Sequence, residues 1–154
     1  MVLAGPIHLS TEAETAALAG LLAPRLVPGD AVLLSGPVGA GKSAFARALI
    51  RARLGDPEAE VPSPTFTLVQ TYGAGEGTLW HADLYRLSHP DEVVELGLLA
   101  ALEDAICLIE WPDRLGPLIP ASALRLDLVP EGEGRAAIFS GPPAWAPRLE
   151  DLHG

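Results

Sequence analysis

Eight residues, GPVGAGKS from Gly36 to Ser43, constrain this chain more than any other stretch. They fit G-x-x-x-x-G-K-S, and they stand between an all-apolar AVLLS segment (Ala31 to Ser35) and a helical pattern from about Lys42 to Leu54 that stops at Gly55. With the Gly, Lys and Ser plus Thr content of this chain, a chance match arises about once in a thousand. A short apolar strand bounded by turn residues is the kind buried on both faces of a parallel sheet, so the motif asks for an α/β fold. Glycines at 36, 39 and 41 let backbone N–H groups converge on an anion, and the following helix N-terminus adds its dipole. The expected nucleotide-binding stretch is Gly36, Pro37, Val38, Gly39, Ala40, Gly41, Lys42, Ser43 and Ala44. Lys42 is then a point charge for the β and γ phosphates of a nucleotide, and Ser43 a hydroxyl ligand to Mg²⁺. The competing reading is a glycine turn that merely packs a strand against a helix.

Lysine usage points to the same place. Lys42 is the only lysine beside nine arginines, and asparagine is absent. GC-rich coding and depletion of thermolabile amides both produce this skew. Under either, a lone lysine is a candidate for a role that guanidinium cannot fill.

The 154 residues fit one domain, 1–154, with a Pro-rich tail from 140 to 154. With 49% apolar and 19% charged residues the chain belongs among globular proteins. A net charge of −10 repels phosphate backbones, so no direct nucleic-acid binding is expected of the isolated chain. The longest uncharged stretch, Val61 to Gly75, holds two prolines and three threonines and reads as no membrane span. No secretory pattern opens the sequence, and the single cysteine, Cys107, lies in an apolar run as a buried, inert thiol. A cytoplasmic location is the expectation.

Along the chain, Ile7 to Leu9 reads as a strand. Thr11 with Glu14 forms a capping-box pattern that opens a helix to about Pro24, with Ala16, Ala17, Leu18, Ala19, Leu21 and Leu22 as its buried side. Residues 56–64 are loop. Phe66 to Tyr72 and Thr78 to Leu84 alternate and form a hairpin across GAGEG. A helix over about 90–103, weakened at Gly97, precedes the buried strand AICLI (Ala105 to Ile109). Leu124 to Val129 and Ala136 to Phe139 form a second hairpin across EGEGR. The sum is a phosphate-loop NTPase-like α/β fold: a mixed sheet flanked by helices, with inserted β-hairpins.

A nucleotide site of this kind needs carboxylates at the ends of neighbouring strands. Glu110 follows five apolar residues, where burial is costly unless a cation or metal is near; the alternative is a solvated strand end. In HADLYR, period two sets His81, Asp83 and Tyr85 on one face, which is either turned to the nucleotide or solvated. Thr65, on a loop stiffened by Pro62 and Pro64, can reach the phosphates as a switch-like hydroxyl or simply start a strand. Trp111 is either an aromatic beside the site or a lid on the core. Arg86 and Arg114 are candidates for transition-state charge, or ordinary surface arginines.

With GPVGAGKS, SPTF, HADLYRL and IEWPDR in this order, the chain resembles the TsaE (YjeE) family over roughly residues 7 to 140. The resemblance implies a slow ATPase needed for threonylcarbamoyladenosine modification of tRNA, binding ATP and Mg²⁺ and working with TsaD and TsaB. It implies Lys42 and Ser43 as phosphate and metal residues, Thr65 as the switch-like hydroxyl, and Asp83, Glu110 and Trp111 as the remaining site positions. Serine at 43, where threonine is common, keeps the hydroxyl. The competing classes are a compact small-molecule kinase and a nucleotide-gated binding module with negligible turnover.

Overall fold

The computed structural model describes residues 1–64, 67–73 and 78–152. Seven strands build one sheet: β1 (Val2–Leu9), β2 (Ala31–Ser35), β3 (Val69–Tyr72), β4 (Leu79–Asp83), β5 (Ile106–Glu110), β6 (Leu124–Glu131) and β7 (Gly134–Ser140), in the order β1-β7-β6-β2-β5-β4-β3. β2 pairs parallel with both β5 and β6, and β4 pairs parallel with β5. β3 and β7 are antiparallel to β4 and β6, which makes the sheet mixed. The helices are α1 (Glu12–Leu22), α2 (Lys42–Leu54), α3 (Glu92–Glu95) and α4 (Leu98–Asp104).

AVLLS occupies the middle of this sheet because both of its faces have apolar partners. Val32 and Leu34 pack with Phe45, Leu49 and Ile50 of α2 and Leu18 and Leu22 of α1. Ala31 and Leu33 face the opposite layer, where Val93, Leu98 and Leu115 meet Cys107 and Ile109. The helices therefore lie on both faces, and the C-terminal ends of β2, β4 and β5 are left open at one edge.

Thr11 caps α1 as its spacing predicts: the Glu14 N–H donates to Thr11 Oγ1 at 3.2 Å. The buried face is narrower than expected. Thr15, Leu18, Ala19 and Leu22 are buried, while Ala16, Ala17 and Leu21 are exposed, since a helix against one sheet hides only one stripe. β1 begins at Val2, well before Ile7, because β7 offers it an antiparallel partner that no local pattern reveals. β3 starts only at Val69. Leu68 adopts φ +67° and donates its N–H to Pro64 O at 2.7 Å, a turn that delays the strand; Phe66 lies outside the described residues. The helix expected over 90–103 is two pieces divided at Gly97 (φ +81°). In the tail, Pro143–Leu149 forms 3₁₀ turns that bury Trp145, whose Nε1–H donates to Ser122 O at 2.8 Å. No helix among the described residues is long and apolar enough to cross a membrane.

Candidate functional site

The parallel register places Asp83 of β4 opposite Glu110 of β5, and Glu110 opposite Leu34 of β2. Just beyond β2, the Gly36–Ser43 loop turns the chain into α2. The crevice outside the carboxyl ends of parallel strands is where open α/β sheets take ligands. Here it is a cavity of about 420 Å³ lined by Val38, Gly39, Gly41, Lys42, Ser43 and Ala44 of the loop, with Asp83, Tyr85, Glu110, Trp111, Glu12 and Arg135.

The loop is built around two close approaches. A Cβ at Gly36 would lie 2.4 Å from Leu128 O, so the backbone passes β6 where no side chain fits. A Cβ at Gly41 (φ +102°) would lie 1.9 Å from Arg135 Nη1, so the guanidinium rests directly on the loop. Gly36, Pro37 and Ala40 do not line the cavity; Ala40 is buried in the core beneath it.

Lys42 is 5% exposed, and its ammonium donates to Gly36 O and lies 3.7 Å from the centre of the Trp111 ring. Among the described residues it makes no ion pair. Burial lowers its pKa below the usual lysine value, against the opposing pull of Glu110, Asp83 and Asp113. A desolvated ammonium without a carboxylate partner is a site for an anion.

Ser43 Oγ donates to Glu110 Oε1 at 3.0 Å, and Glu110 Oε2 accepts from His81 Nε2 at 2.7 Å. Glu110, Asp83 and His81 are all buried, so the His81–Asp83 part of the HADLYR polar face turns inward, while Tyr85, expected on the same face, is 47% exposed. Asp83 Oδ1 accepts from the Tyr85 N–H at 3.1 Å, and the Tyr85 ring packs against Trp111 at a 49° tilt, the ring centres 4.9 Å apart. Trp111 thus sits beside the site, held at φ +58° at the end of β5, while Pro112 opens a 3₁₀ turn behind it.

Serine hydroxyl and carboxylate oxygens are the donors Mg²⁺ prefers, and that ion usually completes its shell with phosphate oxygens and water. No group of three or more His, Cys, Asp or Glu able to hold a metal occurs among the described residues. The cavity carries three carboxylates (Glu12, Asp83, Glu110) against two cations (Lys42, Arg135), so a polyphosphate entering alone meets net repulsion that a divalent cation relieves.

Two sequence candidates fall elsewhere: Arg86 and Arg114 do not line the cavity, and the Arg114 guanidinium lies 5.8 Å from the outer Tyr85 ring. Thr65 lies outside the described residues. Arg135 was not singled out by its sequence. It is one of nine arginines, and only its place at the foot of β7, paired with Leu9 of β1, carries it to the loop. The one local signal was an arginine closing the EGEGR hairpin.

Fold and crevice together define an α/β protein with a glycine-rich, lysine-bearing loop at the carboxyl edge of a mixed sheet. Residues 9–137 match the family described as Threonylcarbamoyl adenosine biosynthesis protein TsaE. The chain is 44% identical over 120 residues to the tRNA threonylcarbamoyladenosine biosynthesis protein TsaE of Rickettsia conorii, covering 78% of this chain and 68% of that one. It is 35% identical over 126 residues to the TsaE protein of Bacillus subtilis, covering 81% and 77%. The crystal structure of Bacillus subtilis YdiB superposes with a TM-score of 0.77 at 27% identity, over 99% of this chain and 95% of that one. The chain belongs to the TsaE family of threonylcarbamoyladenosine biosynthesis proteins.

Proposed function

We propose that this chain binds ATP with Mg²⁺ in the Gly36–Ser43 crevice and hydrolyses it slowly, in service of tRNA threonylcarbamoyladenosine formation with TsaD and TsaB in the cytoplasm. The observation that carries this reading is the buried Lys42 ammonium, which makes no ion pair among the described residues and stands next to the Ser43–Glu110 pair. Lys42 replaces its bond to Gly36 O with bonds to the phosphates, and Arg135 adds a second cation over Gly41. Ser43 and Glu110 would hold the metal, which when bound would supply positive charge to the phosphates. Asp83, opposite Glu110, accepts a hydrogen bond from the attacking water and orients it. Trp111 and Tyr85 form an aromatic wall that keeps bulk water from Lys42.

Partnership with TsaD and TsaB is supported by family membership and by charge. A chain of net charge −10 approaches tRNA through more basic proteins. Phosphate release should be slow with the chain alone and rise at least tenfold when TsaD and TsaB are added. Equal rates with and without them would remove the partner-gated activity, and turnover that depends on an added small-molecule acceptor would favour the kinase class.

A further inference from the structure

His81 projects from β4 into the buried end of the site and is 2% exposed. A carboxylate accepts hydrogen bonds, so Nε2 carries the hydrogen of the 2.7 Å contact to Glu110 Oε2. The other ring nitrogen, Nδ1, is buried with no hydrogen-bond partner among the described residues. For packing alone this is a poor arrangement: a leucine or phenylalanine would fill the space beside Leu108 without burying a bare polar atom. What the ring provides is direction. Its bond takes Oε2, while Ser43 Oγ takes Oε1 at 3.0 Å, so the two contacts occupy different oxygens and fix the last torsion of Glu110.

We propose that His81 is a positioning residue for the metal: its Nε2–H locks Glu110 so that Oε1 and Ser43 Oγ face one cation position. The proposal rests on the reading of this crevice as an ATP·Mg²⁺ site. His81 itself touches neither nucleotide nor metal, and it acts through the carboxylate it orients. Partners that orient a metal ligand typically contribute ten- to a hundredfold in metal affinity.

Two isosteric amides separate this role from packing. In His81→Gln the amide nitrogen reaches the place of Nε2 and still donates to Glu110. In His81→Asn it stops near the place of Nδ1 and does not. Mn²⁺ affinity, read by electron paramagnetic resonance with a non-hydrolysable ATP analogue present, should stay within about threefold of wild type for Gln and fall about tenfold or more for Asn. Affinity for the analogue without metal should be unchanged in both, because His81 does not line the cavity that Lys42 and the glycine loop line. Wild-type Mn²⁺ affinity in a folded Asn variant, or equal losses in Gln and Asn, overturns the proposal while leaving the nucleotide reading standing. If the Asn variant fails to fold, loss of Mn²⁺ affinity in a folded Gln variant overturns it. A wild-type chain that binds no Mn²⁺ with the analogue overturns the nucleotide reading and this proposal together.

Discussion

Lys42 is buried in the wall of the crevice, and burial lowers its pKa, so its charge works against the free fold at neutral pH. Replacing it with an apolar side chain of similar length should therefore separate stability from binding. We expect Lys42→Met to melt at or above the wild-type temperature and to lose ten- to hundredfold in ATP affinity, the order of a charged hydrogen bond of about 1.5–3 kcal/mol. Calorimetry on the two proteins measures both quantities, and a variant that melts much earlier would mean that the ammonium holds the loop together.

Cys107 gives the opposite sign. Burial, with Asp104 adding to it, pushes its thiol up to about 12. The unfolded chain releases this proton near pH 9 while the folded chain keeps it, so stability is complete below pH 9 and falls as pH rises from 9 toward 12. Urea midpoints at pH 8 and pH 10.5 should drop more for wild type than for Cys107→Ala. Cys107, Lys42, Ser43 and Glu110 could all be placed from local context, because motif and strand end define them. Arg135 could not, since a contact between β7 and the loop is made by tertiary pairing.

Among the elements, the step from β2 through the loop into α2 is the rigid part of the site. Gly36 lies against the Leu128 carbonyl of β6, and two backbones that close cannot separate without breaking the parallel pairing of β2 with β6. Gly36→Ala should cost about 1–3 kcal/mol in denaturant unfolding and distort the loop as well. A midpoint equal to wild type would show that β6 yields there. This step was legible because an apolar run, a glycine motif and a helical period follow one another directly. β1 and the 3₁₀ tail were not, since each depends on a partner distant in sequence: β7 for β1, Ser122 and Asp30 for the tail; the start of β3 was missed because a local turn, with Leu68 at φ +67°, delays it. The helix near residue 97 was half legible: a glycine signals weakness, but only φ +81° makes it a break.

In the molecule as a whole, a chain of net charge −10 carries a crevice lined by three carboxylates and by two cations, the buried Lys42 and the half-buried Arg135. That arrangement admits a polyphosphate accompanied by a divalent ion better than one arriving bare. In the proposed function the cation falls to Ser43 and Glu110 and the anion to Lys42, so the two can be removed separately. Calorimetric titration of ATP into wild type, Lys42→Ala and Ser43→Ala, each with and without Mg²⁺, tests this most directly. Wild type should bind ATP more tightly with Mg²⁺, Ser43→Ala should lose that enhancement and keep the metal-free affinity, and Lys42→Ala should lose both. A folded Lys42→Ala chain that binds ATP·Mg²⁺ as wild type does would contradict the assignment of this crevice as the nucleotide site.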